Sequence, residues 1–207
     1  MNLHKAFCDT LSNKEKYISV ENCGDYLTVR DGDTLKIFFE WSDGLTDWRN
    51  NFRFFAVPRK PYKNMKKLWF AHRGFLNVWK AIEPHIANEI KAADVRKIEV
   101  VGYSHGAALA VLCHEYCAYN RPDAEVIGAG FGAPRVFWGI VPREVKKRLA
   151  GFQIVRNGKD IVTHLPPALF GFRHVGELVE IGKGGLVKDH YPEKYEIHLR
   201  EEMKFDI

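Results

Sequence analysis

The sequence predicts an α/β fold, a central mostly parallel sheet flanked by helices. Three observations lead there. Short β-branched runs alternate with helical stretches through the middle of the chain, the pattern of parallel strands joined by crossovers. The stretch from Lys97 to Tyr119, K-I-E-V-V-G-Y-S-H-G-A-A-L-A-V-L-C-H-E-Y-C-A-Y, reads as strand, tight turn and helix. The chain has 207 residues, 46% of them hydrophobic and 13% aromatic, enough to bury a core of its own. It shows no repeat, low-complexity segment or linker, so residues 1–207 are read as a single domain.

Taken in order, Leu3 to Leu11 carries the composition of a short helix. Tyr26 to Arg30 and Thr34 to Phe39 are β-rich runs, and Asp31-Gly32-Asp33 between them signals a hairpin. Leu68 to Ala71 is a short strand. Phe75, Val78, Trp79, Ile82, Ile86 and Ile90 recur at helical spacing, with Pro84 predicting a kink or a restart. The strand and helix around Ser104 follow. Glu125 to Phe131 is a strand ending in Gly132-Ala133-Pro134. Pro142 to Leu149 is helical, with Pro142 near its first turn. Phe152 to Arg156 and Glu177 to Ile181 are the last strands, and the tail from Pro192 is a polar helix.

Composition excludes several classes. A net charge of +5 permits contact with an anionic surface without requiring it, and nothing has the pattern of a nucleic-acid-binding fold. No apolar run has the length of a membrane span. The first residues, Met1-Asn2-Leu3-His4-Lys5, lack the apolar centre of a secretory signal. The cysteines are Cys8, Cys23, Cys113 and Cys117. Cys113 and Cys117 sit one turn apart in an apolar helix, as small hydrophobes do. Reading Cys113, His114 and Cys117 as metal ligands fails for want of a second ligand pair. Thiols without a leader predict a cytoplasmic location.

Gly102-Tyr103-Ser104-His105-Gly106 has the form G-x-S-x-G. Such a turn thrusts its serine out at the end of a strand, and small flanking residues let strand and helix approach. A serine hydroxyl is a weak nucleophile; it needs a base to take its proton and a carboxylate to orient that base. On this topology the partners follow in the order Ser, Asp or Glu, His. Asp160 lies just past the strand Phe152 to Arg156, at a carboxyl end where such sites form. Asp123 precedes a strand, and Asp189 adjoins a candidate base. His164, His174, His190 and His198 are the candidate bases, and chain order favours His190, which follows the last strand and its glycine loop. The N–H of His105 is one candidate oxyanion donor, and Ser42, after the strand Thr34 to Phe39, is the second.

The residues resemble the class 3 lipases, the family of the small fungal triacylglycerol lipases. I-F-F-E-W-S-D-G-L-T-D-W-R-N-N-F is similar to the family segment with its oxyanion Ser or Thr followed by D-W. H-R-G-F at His72 matches H-x-G-F. V-V-G-Y-S-H-G-A-A-L-A resembles the elbow G-H-S-L-G-G-A-L-A. F-G-A-P-R-V at Phe131 is a family hallmark, V-R-N-G-K-D-I-V-T-H-L-P-P resembles the stretch with the catalytic aspartate, and D-H-Y-P-E-K-Y the one with the catalytic histidine. These blocks span Ile37 to Tyr195. The resemblance implies an α/β-hydrolase fold with Ser104 as nucleophile, Asp160 as orienting acid, His190 as base, and Ser42 and His105 as oxyanion donors. It moves His174 to a structural position. The chain departs from the family at Glu40-Trp41, where R-G is usual, and at Tyr103 and His105, where His and Leu are common.

The same resemblance makes Asp43 to Phe52 a small lid helix. Leu45, Trp48 and Phe52 lie on one apolar face of it, ready either to open at a lipid interface or to pack permanently. Arg59, Lys60, Lys63, Lys66 and Lys67 form a basic run, read as a solvated loop or as a transient contact with an anionic membrane. Together these features predict a serine hydrolase that cleaves carboxylic esters of acylglycerol or phospholipid type through an acyl-enzyme, with no metal or cofactor. Rival readings are an acyltransferase or thioesterase using the same residues, and a non-catalytic lipid- or partner-binding domain on a degenerate hydrolase.

Overall fold

The computed structural model describes residues 1–12, 16–20, 24–40, 55–59, 62, 67–92, 94–183 and 188–202. In chain order these form α1 (Leu3–Ser12), β1 (Ile18–Val20), β2 (Gly24–Asp31), β3 (Thr34–Phe39), β4 (Ala56–Arg59), β5 (Trp69–His72) and α2 (Arg73–Glu89). Then follow β6 (Lys97–Tyr103), α3 (His105–Asn120), β7 (Glu125–Phe131), β8 (Phe137–Trp138), α4 (Arg143–Arg148) and β9 (Phe152–Asn157). β10 (Phe172–Arg173), β11 (Glu177–Ile181) and α5 (Pro192–Glu202) complete it, with short 3₁₀ turns at Ile161–His164, Ala168–Phe170 and Lys188–His190.

The main sheet has seven strands in the order β1-β2-β3-β6-β7-β9-β11. From β3 to β11 every neighbour pair is parallel, while β1, β2 and β3 pair antiparallel at one edge. The β2–β3 hairpin closes tightly, Asp31 opposite Thr34, with Gly32 at φ 61° in the left-handed region that the turn demands. A second, antiparallel sheet has four strands in the order β10-β8-β5-β4. Sequence patterning located only β5 of it, because β4, β8 and β10 are two to four residues long and carry no periodicity.

The period of two along each strand sorts the side chains onto two faces. Ile98 and Val100 of β6 join α2, α3, Trp69 and Phe137 in one core cluster. Val101 and Tyr103 face the other way and join Phe7, Phe131, Val155, Tyr195 and Leu199 under α1 and α5. α3 is buried at every residue from Gly106 to Cys117, so it is apolar nearly all round rather than on one stripe. Its one buried acid, Glu115, accepts from Arg148 Nε at 2.8 Å and from Tyr62 Oη at 2.6 Å.

Several expectations change. α2 runs unbroken through Pro84, so the predicted restart does not occur. Pro84 is exposed, so the carbonyl its missing N–H leaves unpartnered lies on the water side. Arg59 is not part of an open basic run: it is buried and pairs with Glu83 at 2.6 Å. Tyr62 points inward to Glu115, and Lys67 is exposed. Lys60, Lys63 and Lys66 lie outside the described residues, as do Cys23, Ser42 and the lid residues Leu45, Trp48 and Phe52. Cys113 and Cys117 are fully buried free thiols, and His114 Nε2–H donates to the Val126 carbonyl at 3.2 Å, so the three converge on no ligand site.

Candidate active site

Ser104 sits at the sharp turn between β6 and α3. Its backbone, at φ 55° and ψ −119°, is the only positive-φ position outside glycine among the described residues. Such a conformation costs about 1–3 kcal/mol and persists only where its surroundings enforce it. Ser104 N–H donates to the Phe131 carbonyl at 2.8 Å, which locks the turn to β7. The glycines on either side have no room for a side chain. A Cβ on Gly102 would lie 2.3 Å from the Gly106 carbonyl oxygen, and one on Gly106 would lie 2.5 Å from that of Phe39. The elbow is therefore pressed onto the end of β3, where a Cβ on Gly106 would also lie 2.6 Å from the Glu40 carbonyl oxygen.

The end of β9 delivers Asp160, fully buried. Its Oδ1 accepts from Val162 N–H at 2.9 Å, which starts the 3₁₀ turn at Ile161. Its Oδ2 accepts from His190 Nδ1–H at 2.7 Å and from Tyr195 Oη–H at 2.7 Å. His190 follows β11, in the turn Lys188–His190 just ahead of α5. Its Nδ1 faces a carboxylate and so carries the ring proton. Nε2 is then the acceptor, and Ser104 Oγ–H donates to it at 2.9 Å. Ser104, His190 and Asp160 thus form one hydrogen-bonded chain across residues 56 and 30 positions apart in sequence.

His190 is braced from three directions. The Tyr103 ring stacks on its imidazole, centroids 5.2 Å apart and planes inclined by 19°, and the Tyr103 hydroxyl donates to its backbone carbonyl. Asp189 ties the preceding residue down: its Oδ2 accepts from Lys159 N–H at 2.8 Å and its carbonyl from Asn157 Nδ2 at 2.9 Å. Gly132, at φ 60°, packs so closely that a Cβ there would lie 2.9 Å from His190 Cε1. Burial, reinforced by the Asp160 charge, pushes the phenols of Tyr103 and Tyr195 well up, so both stay protonated donors. Arg135 of the F-G-A-P-R-V segment holds the loop beyond Asp160, donating to the carbonyls of His164 and, at 3.0 Å, Pro166.

The other histidines are engaged elsewhere. His174 Nε2–H donates to the Thr163 carbonyl at 2.8 Å, and burial holds its pKa down to about 4. His198 Nδ1–H donates to Asn157 Oδ1 at 2.6 Å. Asp123 pairs with Arg121 at 2.8 Å, far along the other end of β7. His105 is the first residue of α3, where a backbone N–H has no intrahelical partner. Its ring lies 5.6 Å from Phe75, and burial, then the neighbouring His72, holds its pKa down to about 4. Sequence reasoning missed Tyr103, Tyr195, Asn157 and Asp189 as parts of this site. Tyr103 was visible only as a departure from the family's usual histidine.

Residues 37–170 match the family described as Lipase (class 3). The chain belongs to the class 3 lipase family. A Rhizomucor miehei lipase is 30% identical over 152 residues, spanning 70% of this chain and 40% of that lipase. Secreted mono- and diacylglycerol lipase 1 of Fusarium solani is 32% identical over 124 residues, 58% of this chain and 36% of that protein. The chain therefore spans about two fifths of the curated lipases it matches. Among solved structures, the Rhizomucor miehei triacylglyceride lipase superposes with a TM-score of 0.67 at 23% identity, covering 86% of this chain and 76% of that one. A triacylglycerol lipase whose catalytic centre is described as a serine protease triad gives 0.65 at 25% identity, covering 81% and 64%. The fold is that of these α/β-hydrolases, as the resemblance implied.

The cytoplasmic expectation is overturned. Matched mono- and diacylglycerol lipases of Fusarium solani, Malassezia globosa and Malassezia restricta are named as secreted. The thiols that supported a reducing compartment are a packing feature: Cys113 and Cys117 are sealed inside α3, where their redox state says nothing of the surroundings.

Proposed function

We propose that this class 3 lipase domain, residues 1–207 taken as one unit, hydrolyses carboxylic esters through an acyl-enzyme on Ser104. One observation carries the reading: the hydrogen-bonded run from Ser104 Oγ through His190 to Asp160, at 2.9 and 2.7 Å, with its serine on a strained turn. His190 Nε2 takes the Ser104 proton as Oγ attacks the ester carbonyl. Asp160 holds the imidazole in the required tautomer and balances the imidazolium that forms. The N–H of His105, with Ser42, three residues past β3 in sequence, receives the oxyanion. His190 then passes its proton to the leaving alcohol. A water, activated by the same Nε2, releases the acid and restores Ser104.

The substrate class follows from the relatives and from the surface. The matched proteins are named as lipases of mono-, di- and triacylglycerols, which points to acylglycerol-type esters. Ile140 and Leu169 are 90% and 91% exposed, and Phe170, next to Leu169 in sequence, is exposed too. Leu169 and Phe170 belong to the same loop region that follows Asp160, and Trp138 Nε1–H donates to the Phe170 carbonyl at 2.7 Å. This apolar rim suits contact with aggregated lipid. Lys67, exposed, adds a charge attractive to an anionic surface.

The test is hydrolysis of p-nitrophenyl esters from acetate to palmitate by wild type and Ser104→Ala, with fluorophosphonate labelling alongside. Turnover and labelling by wild type, both lost in the variant, are expected. A folded wild type as inert as Ser104→Ala on every ester, and unlabelled, overturns the reading and favours a binding domain.

A further inference from the structure

On the far face of the main sheet from α2 and α3, α1 and α5 pack against each other through Phe7 and Tyr195, ring centroids 5.7 Å apart. Where the two helices meet, three donors of different chemistry converge. His4 and Cys8 stand one turn apart on α1, so both side chains leave the same helix face. Glu196 comes from α5. An imidazole nitrogen, the thiol sulfur and a carboxylate oxygen all lie within 4.8 Å of one another, and each residue is partly buried.

The nitrogen–sulfur spacing has the size a metal ion needs, with the carboxylate oxygen within 4.8 Å of both atoms. Zinc–nitrogen bonds of about 2.0–2.1 Å and a zinc–sulfur bond of about 2.3 Å, at a tetrahedral angle, put nitrogen and sulfur about 3.6 Å apart. His4 Nε2 and Cys8 Sγ are 3.6 Å apart. Glu196 Oε1 already accepts from Arg200 at 2.6 Å, but that pair is solvent-exposed and worth little, and the carboxylate keeps a second oxygen. A cavity of about 310 Å³, lined by His4, Leu199 and Glu202 among others, opens at the His4 side of the cluster. A nitrogen, sulfur and oxygen donor set selects borderline transition metals over magnesium or calcium, which take oxygen alone.

We propose that His4, Cys8 and Glu196 form a structural site for a divalent zinc-type ion, with water as fourth ligand. The ion fastens α1 to α5. That helix begins just after His190, and its Tyr195, the neighbour of Glu196, donates to Asp160. The site lies apart from Ser104 and stands whether or not the chain hydrolyses esters.

Cobalt(II) titration tests it directly, since thiolate ligation gives a near-ultraviolet charge-transfer band. Wild-type protein is expected to develop the band with one equivalent of metal, to lose it on adding zinc(II), and to show a raised Tm in zinc(II). Cys8→Ser and His4→Gln, both at part-exposed positions on α1, are expected to keep the metal-free Tm and lose the band and the zinc-dependent shift. Glu196→Gln is expected to weaken both, and Cys23→Ser to keep them. A folded wild type without the band, or a band that survives in Cys8→Ser, overturns the proposal.

Discussion

Tyr195 and His190 donate to the same oxygen of Asp160, each at 2.7 Å. Tyr195 is fully buried, and its oxygen in turn accepts from Asn157 N–H at 3.2 Å. The carboxylate that orients the imidazole is therefore itself held by a side chain from α5. In Tyr195→Phe the Oδ2 atom keeps only its His190 donor, and the carboxylate, still held at Oδ1 by Val162 N–H, is positioned less firmly. A hydrogen bond to a charged group is worth about 1.5–3 kcal/mol, so kcat should fall about tenfold or more with KM unchanged. Steady-state kinetics beside a melting curve checks this. A lower Tm with unaltered kcat would make Tyr195 structural only.

Gly132 packs against both His190 and Asp160. In Gly132→Ala the new methyl meets His190 Cε1 at 2.9 Å and Asp160 Oδ2 at 3.0 Å, on a backbone at φ 60° that alanine disfavours. His190 has to move by a sizeable fraction of an ångström. Misplacement on that scale costs about a hundredfold in rate. The far-ultraviolet circular dichroism should stay native while kcat drops by that order. Wild-type activity in the alanine variant would mean that the cleft relaxes without cost.

Tyr103 acts on His190 from beneath. Tyr103→Phe preserves the stacked ring and removes only the donor to the His190 carbonyl, which is then buried without that partner. The expected result is a several-fold loss of kcat and a loss of about 1–3 kcal/mol in unfolding free energy. Tyr103→Leu removes the ring as well and should cost more in both. If the two variants behave alike, the stacked ring contributes nothing and the hydroxyl carries the whole effect.

Acid should weaken the fold through buried neutral histidines. His105, His114 and His174 each have a folded pKa held down to about 4 from 6.5, chiefly by burial. As pH falls below about 6.5 the unfolded chain takes up protons that the folded chain refuses. Their contribution is therefore full above pH 6.5 and is lost as pH falls to about 4. Each is worth on the order of a few kcal/mol over that window. In His114→Gln an amide can still donate to the Val126 carbonyl, so urea midpoints measured from pH 7 downward should fall less steeply than in wild type. Parallel curves for the two proteins would remove His114 from the account.

Much of the fold was legible because periodicity reports burial. β7 and β11 fall where the β-branched runs fall, and α3 where Ala and Leu crowd. The second sheet was nearly illegible. Its β8 and β10 have two residues each and exist because they pair with β5 and with each other. Pro84 left a kink or a restart open for a related reason: the local rule could not choose, and packing of Ile82 and Ile86 against the core carried the helix through without a restart.

The sequence by itself determined the chemistry on offer. Spacing within a short stretch is local information, and G-Y-S-H-G specifies a strained serine because no other residues fit Gly102 and Gly106. Chain order named Asp160 and preferred His190, since loops at the carboxyl ends of parallel strands must converge. The tertiary structure decided what holds those groups still. Tyr103, Asp189 and Tyr195 are scattered over three elements, and their side chains meet His190 and Asp160 only once β6, β9 and α5 are packed together. Hydrogen bonds and ring stacks act over a few ångströms, so a partner distant along the chain leaves no trace in local pattern.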